Sequence, residues 1–355
     1  MAASLTLTHW LERIWYGNRP LERSLLSPLS RLFCQIARRR RQRLTARQQA
    51  FAAPVVVVGN ISVGGTGKTP LTLRLAQLLQ QNGYQPGMVS RGYGAHPDRT
   101  MIRPVTYHNK PADVGDEALL LATRSGLPVV VGIQRSRAVE YLLENYDVDI
   151  VLSDDGLQHY AMARDLEIAV VDGARRFGNG RCLPAGPLRE PVERLQDCDF
   201  VICNGQPHTG EYGMQLSGNW LVSLSNPKML RPLNDLAGQP VHVLTAIGNP
   251  TRFIDSLRVA GIEVTPHLYP DHYLFQGHEW QFADDHPVLM TEKDAVKCRQ
   301  FAPERLLKCW YLPVDAQPEP AFEQAFLQRI QELMNHGQKT AGYSGLPGHQ
   351  GQPDL

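Results

Sequence analysis

The stretch with the clearest chemistry is Gly59-Asn60-Ile61-Ser62-Val63-Gly64-Gly65-Thr66-Gly67-Lys68-Thr69-Pro70. Gly64, Gly65 and Gly67 tolerate positive φ, so backbone N–H groups around Thr66 can converge on phosphate oxygens. A helix starting here adds the partial positive charge of its N-terminus. Lys68 is placed to reach β- and γ-phosphates, and the Thr69 hydroxyl suits a Mg²⁺ ligand. The pattern departs from GxxxxGK[ST] once, where Ser62 replaces the first glycine. A glycine-rich turn alone is a weak signal. The strand before it, the Gly67-Lys68-Thr69 triplet and the helix after it favour a nucleotide loop over a plain strand–helix turn.

Acidic and basic side chains supply further chemistry. Val148-Asp149-Ile150-Val151-Leu152-Ser153-Asp154-Asp155 is an apolar strand that closes on two carboxylates. Strand C-termini line the ligand crevice of a parallel sheet. Adjacent carboxylates repel unless a cation sits between them. Asp-Asp-Gly is also turn chemistry, but beside a phosphate loop the pair suits Mg²⁺. Gln158 and His159 follow within reach of the same crevice. Asp116 opens an expected helix, and local sequence alone favours an N-cap role. Arg135 and Arg137 start another helix, where cations oppose the dipole; that invites a phosphate contact, although surface arginines are common. His272, in Tyr269-Pro270-Asp271-His272, is isolated, and a lone histidine is more often structural than catalytic.

These residues need a scaffold. Val55–Val58 is a β-branched run suited to a buried parallel strand. Helical periodicity follows over Leu71–Leu79. Apolar runs recur at Val129–Val131, Val148–Leu152, Leu166–Val171 and Phe200–Cys203, with helical stretches near 115–125 and 134–145. Such alternation predicts a doubly wound α/β sheet. Residues 205–238 are rich in Gly, Pro, Asn and Ser and form an expected connection. A second series then runs through Val241–Ala246, a helix near 250–259, strands near 262–268 and 287–291, and a last helix near 319–334. The expected division is an arm (1–50), a P-loop domain (51–222), a linker (223–239), a smaller α/β domain (240–335) and a disordered tail (336–355).

The 355 residues are 43% hydrophobic and 20% charged, which excludes wholesale disorder. A net charge of +1 provides no global field for nucleic acid. Yet residues 1–50 hold ten arginines against Glu12 and Glu22. Leu7, Trp10, Leu11, Ile14 and Trp15 fall on one helical face. Ser27-Pro28 has the form of an N-cap with Pro at the first helical position. Leu29, Leu32, Phe33 and Ile36 follow it, and then Arg38–Arg41. The arm suits either a helix lying in a membrane interface or an ordinary docking helix with a solvated Arg face. Five arginines near an anionic leaflet contribute roughly 5 kcal/mol at best, so inserted Trp and Leu would also be needed. No apolar run is long enough to span a bilayer. Six cysteines without CxxC spacing suggest reduced thiols.

Taken together, the stretches resemble a known family, the tetraacyldisaccharide 4′-kinases of lipid A synthesis. The resemblance is carried by the loop at 58–70, Ser90-Arg91-Gly92-Tyr93-Gly94, Gly115-Asp116-Glu117 and Asp154-Asp155-Gly156-Leu157-Gln158-His159. It continues through Leu183-Pro184-Ala185-Gly186-Pro187-Leu188-Arg189-Glu190 and Leu289-Met290-Thr291-Glu292-Lys293-Asp294-Ala295. It runs in order from about residue 10 to about 330, and that family tolerates Ser62. Tyr273 stands where the family often has a second histidine. The resemblance implies two α/β/α domains, the first with a P-loop NTPase-like parallel sheet, preceded by an amphipathic N-terminal helical arm. It implies ATP- and Mg²⁺-dependent phosphorylation of an acylated disaccharide 1-phosphate at the cytoplasmic face of a Gram-negative inner membrane. Asp116 would be the catalytic base, assisted by His272, with Lys68 on the phosphates. Gly64 to Gly67, Thr69, Asp154 and Asp155 would hold MgATP. Arg135, Arg137, Gln158, His159 and Glu190 would surround phosphate or substrate, and Arg91 and Tyr93 would face the sugar phosphate.

Two other readings are distinguishable. A deviant P-loop regulatory ATPase carries a signature Lys where this chain has Val63. A kinase for a soluble sugar would have an arm that merely docks on the body.

Overall fold

The structure is a computed structural model and describes residues 10–94 and 101–341. The β-branched runs become central strands because both faces of the sheet are covered by helices. In chain order the strands are Val55–Gly59 (β1), Pro86–Ser90 (β2), Arg103–Pro104 (β3), Val129–Val131 (β4), Ile150–Asp154 (β5), Leu166–Asp172 (β6), Phe200–Asn204 (β7) and Tyr212–Ser217 (β8). They continue with Trp220–Ser223 (β9), Leu230–Pro232 (β10), Pro240–Thr245 (β11), Glu263–Leu268 (β12), Val288–Thr291 (β13), Cys309–Leu312 (β14) and Asp315–Pro318 (β15).

Among the described residues these strands form two sheets. The larger has the order β15-β8-β7-β6-β1-β5-β2-β4-β3; its inner strands are parallel, and β15 and β3 are antiparallel edges. The smaller has the order β10-β9-β14-β13-β11-β12, parallel from β14 to β12. The helices used below are Pro20–Thr45 (α1), Lys68–Gln81 (α2), Asp116–Ser125 (α3), Arg135–Asn145 (α4), Pro250–Val259 (α5), Glu292–Cys298 (α6) and Pro320–Ala341 (α7). Leu71, Leu75 and Leu79 of α2 share one face of the large sheet with Leu119 of α3 and Phe322 and Phe326 of α7. Ala138, Val139 and Leu142 of α4 cover the other face. In the small sheet, α5 and α6 pack on opposite sides.

The division along the chain differs from expectation in three ways. Residues 205–238 are not a plain connection: β8 extends the large sheet, while β9 and β10 join the small one. The small unit does not run to 335, because β15 and α7 return to the large sheet. Arg74 on α2 clamps Glu323 there through two bonds of 2.6 and 3.0 Å. The expected tail is helical to Ala341, and 342–355 lie outside the described residues.

The arm also differs in detail. Ser27-Pro28 does not start a helix. Pro20 occupies the first turn, and α1 continues through Pro28. The Ser27 hydroxyl donates to Arg23 O at 2.8 Å, turning the would-be cap inward on its own helix. Leu7 lies outside the described residues. The arm docks on the body: Trp15 Nε1 donates to Pro184 O at 2.9 Å, and Ser30 Oγ to Cys182 O at 2.7 Å. Cys34 and Cys182 are joined in a disulfide with Cα atoms 6.5 Å apart, correcting the expectation of reduced thiols throughout. Docking of α1 brings together two cysteines 148 residues apart in sequence, which local spacing cannot reveal. Docking leaves one row of α1 facing outward. Leu21 and Leu25 are each 78% exposed, and Leu29, Leu32 and Ile36 continue the row. No helix among the described residues is long and apolar enough to cross a membrane.

Candidate active site

The glycine loop follows β1 and ends at α2. Gly67 is the residue before the helix, with φ +99, a conformation that an L side chain rarely adopts. A Cβ there would also meet Asn204 Nδ2 at 2.8 Å. Asn204, at the end of β7, donates to Thr66 O at 3.0 Å and holds the turn from below. The helix that begins with Lys68-Thr69 therefore points its free N–H groups at the loop's concave side.

Asp154 and Asp155 sit at the C-terminal end of β5, next to β1. Asp154 is buried and accepts from Thr69 Oγ1 at 3.0 Å and Thr72 Oγ1 at 3.2 Å. Burial, with Glu117 and Asp155 nearby, pushes it up to about 6. Asp155 turns the other way, with φ +49. Burial opposes its charge, but Lys68 at 3.5 Å, Arg189 at 3.4 Å and Arg135 outweigh it and hold it well below the usual range. Among the described residues Asp154 thus has no ion pair, while its neighbour has two. The donor set of Thr69, Asp154 and Asp155 is all hard oxygen, which fits Mg²⁺.

Arg135 is almost fully buried at the start of α4. Its Nη2 donates to Asp154 O at 3.2 Å, while Nε and Nη1 have no partner among the described residues. Burial lowers it only to about 10, so it stays charged. A buried, charged, half-unpartnered guanidinium lining this cleft is suited to a phosphate group. Arg137, by contrast, is exposed on the same helix and does not line the cleft. One turn of α4 cannot present both.

Gln158 spans the loop and the far wall, donating to Asn60 O and Glu190 Oε2, both at 2.9 Å. Glu190 also accepts from Tyr160. Both residues line the cleft, and their bonds make them braces of the loop. His159 is held neutral, down to about 3, by burial and by Arg135 and Arg91.

Asp116 begins α3 but is not its cap; Gly115 is. Gly115 has φ +88, and a Cβ there would meet Tyr93 O at 2.6 Å. That close approach packs the Arg91–Tyr93 turn against Asp116. Across the gap between the two sheets, His272 Nδ1 lies 3.1 and 3.0 Å from the Asp116 carboxylate oxygens. His272 itself has φ +60, and Tyr93 lies over its ring at 4.6 Å. Local sequence favoured a cap and a structural histidine; folding makes them a pair.

Two lysines were not singled out for a role by the sequence reading. Lys297 is 1% exposed; its Nζ bonds Asp294 at 2.8 Å and Ala246 O at 3.1 Å, and stands 3.7 Å from Asp116. Lys293 lies 3.0 Å from Glu117, 3.6 Å from Asp271 and 4.0 Å from Asp116. Burial opposes charge on Asp116, but the His272 hydrogen bond, Lys293 and Lys297 outweigh it and hold the carboxyl low. The signal was present in Thr291-Glu292-Lys293-Asp294 followed by Lys297, a charged run that forms the largely buried helix α6.

One cleft of about 1020 Å³ gathers most of these parts, with Asp116, Asp154 and Lys297 buried behind its lining. Its walls include the loop from Val63 to Thr69, Arg91 and Tyr93, Asp155 and Arg189, His272 and Lys293. Trp15, Phe33 and Ile36 of the arm line it too. A phosphate loop at the switch of a parallel sheet, an acid pair beside it and a carboxylate–histidine pair facing it define a P-loop phosphotransferase.

The comparisons with known proteins give the particular class. The family model for tetraacyldisaccharide-1-P 4′-kinase matches residues 22–331, and the chain belongs to that family. It is 46% identical to the tetraacyldisaccharide 4′-kinase of Methylobacillus flagellatus, over 93% of this chain and 98% of that one. It is 48% identical to the enzyme of that name from Nitrosococcus oceani, over 90% and 94%. A crystal structure of LpxK from Aquifex aeolicus in complex with ATP superposes with a TM-score of 0.70 at 25% identity, covering 87% of this chain and 99% of that one.

Proposed function

We propose that the protein transfers the γ-phosphoryl group of ATP to the 4′-hydroxyl of a tetraacylated glucosamine disaccharide 1-phosphate, giving the lipid A precursor lipid IVA. The observation that carries this reading is the shared cleft: phosphate loop, Asp116–His272 pair and apolar arm residues all line or adjoin one space.

Backbone N–H groups from Gly64 to Gly67 and the Lys68 ammonium hold the triphosphate. Thr69, Asp154 and Asp155 would hold Mg²⁺, which would supply positive charge to offset the phosphates. Arg135 supplies its free donors to the transferring group, and Gln158 and Glu190 keep the loop in place. Arg137 has no part. Asp116 accepts the proton of the 4′-hydroxyl, and His272 fixes the carboxylate's orientation. A carboxylate held low is a weak base at rest. In a loose phosphoryl-transfer transition state, positioning matters more than basicity, and the proton leaves late. Lys293 and Lys297 keep Asp116 ionised and therefore always able to accept. Arg91 and Tyr93 face the sugar-phosphate side.

The acceptor's acyl chains stay in the bilayer while α1 lies at its surface. The outward row Leu21, Leu25, Leu29, Leu32 and Ile36, together with the arginines of α1, supports a peripheral position on the cytoplasmic face of an anionic inner membrane. The test is an assay with MgATP and two acceptors, the tetraacyldisaccharide 1-phosphate in mixed micelles and its deacylated, soluble counterpart. Efficient transfer to the lipid alone is expected; equal kcat/KM for both would make this a soluble-sugar kinase.

A further inference from the structure

The small sheet carries a histidine–carboxylate cluster that phosphoryl transfer does not use. Among the described residues, His242, Asp284 and His286 are the one group of three such side chains whose donor atoms all lie within 4.8 Å of one another. His242 is buried on β11; Asp284 and His286 are on the segment leading into β13. His242 Nε2 is 3.2 Å from Asp284 Oδ2, and His286 Nδ1 is 3.3 Å from that same oxygen. Zn²⁺ binds nitrogen and oxygen at about 2.0–2.2 Å in a tetrahedron, which puts neighbouring donors about 3.3 Å apart. Two of the three edges already have that length.

Those distances also fit plain hydrogen bonds, so the outer contacts matter. A metal-bound histidine almost always donates its other ring N–H to an acceptor. His242 Nδ1 has such a neighbour, His267 Nε2 at 3.0 Å. Phe282 stacks on the His242 ring at 3.7 Å and fixes its plane. The nearby cation is turned away from the donors: Lys308 Nζ bonds the Asp284 main-chain oxygen at 2.8 Å and pairs with Asp285.

We infer that His242, Asp284 and His286 form a binding site for a first-row transition-metal dication of the zinc type, with His267 as the outer acceptor that sets the His242 tautomer. Two imidazoles and one carboxylate favour such an ion over Mg²⁺. Loading moves one ring proton from Nε2 to Nδ1 on each of His242 and His267. In the metal-free site His242 Nε2–H donates to Asp284 and Nδ1 accepts from His267 Nε2–H. In the loaded site Nε2 gives its lone pair to the ion, Nδ1–H donates to His267 Nε2, and His267 carries its proton on Nδ1. The ion ties β11 to the segment before β13. His242 lies in the first half of β11, while the strand's other end leads to Ala246 and the cleft. The site is therefore a structural clamp apart from catalysis.

The test uses full-length protein with excess Mg²⁺ present to cover the P-loop acids. Zn²⁺ bound after equilibrium dialysis is measured by atomic emission, and imidazole tautomers by ¹⁵N NMR. One zinc per chain and a proton shift to Nδ1 of His242 are expected. His286→Ala and Asp284→Asn lie at the surface and leave kinase activity and folding unchanged, but each should lower zinc affinity more than about tenfold. Removing the outer acceptor, His267→Ala, should also weaken binding, about tenfold. Substoichiometric zinc in the wild type, or equal binding in both surface variants, overturns the site and leaves a hydrogen-bonded cluster.

Discussion

Asp154 is a buried carboxylate with no ion pair among the described residues. Among the described residues its oxygens accept only from hydroxyls, and burial with Glu117 and Asp155 outweighs Lys68, so it rises to about 6. In the metal-free protein its folded value lies above its unfolded one. It therefore stabilises the fold at low pH, and that contribution is lost as pH rises through 6. For Mg²⁺ the sign is opposite, because the ion must displace the proton. Mg²⁺-dependent stabilisation, read by thermal shift, should be flat above pH 6 and weaken by about tenfold in apparent affinity per unit below it. Constant affinity from pH 5 to 8 would mean that Asp154 does not bind the ion. The acid pair and the loop were legible because local sequence encodes them: β-branched strand, turn, charged tip. The Asp116–His272 pair was not, since its members are 156 residues apart and each has a commoner local meaning. Only the resemblance to a family joined them.

At the level of elements, α1 bonds the body along one side and leaves leucines on the other. Burying five such side chains removes enough apolar surface for several kcal/mol at about 25 cal/mol per Å². That term complements the salt-sensitive arginines. Leu21→Gln, Leu25→Gln and Leu29→Gln combined should leave Tm nearly unchanged, because these side chains are exposed, yet release the protein from anionic liposomes in a flotation assay. Undiminished binding would locate the membrane contact elsewhere. The helix itself was legible from its periodicity, but its start was not: Ser27-Pro28 mimics a beginning that Pro20 supplies. The central strand β2, Pro-Gly-Met-Val-Ser, was missed as well. It lacks a β-branched run, and its conformation is set by parallel neighbours β5 and β4 on either side. Likewise β15 takes its place from β8, far away in sequence.

Across the whole molecule, the two sheets meet through polar contacts that converge on the cleft. Arg252 at α5 donates to Asn204 Oδ1 at 2.6 Å, and the same Asn204 holds Thr66 O of the phosphate loop. Arg124 joins Glu292 at 3.0 Å on the opposite flank. Loop geometry is thereby coupled to the position of the unit that carries His272. Arg252→Ala removes a charged hydrogen bond, and ATP binding by calorimetry should weaken by about tenfold. Unaltered ATP affinity would show that the loop does not depend on this bridge.

The most direct test of the account compares wild type with Asp116→Asn in two readouts on the same preparations. One is MgATP binding, and the other is transfer of labelled γ-phosphate to micellar tetraacyldisaccharide 1-phosphate. Near-equal ATP affinity with turnover reduced by roughly 10²–10⁴-fold is predicted. Full turnover in the variant, or no labelled lipid from the wild type, would contradict it.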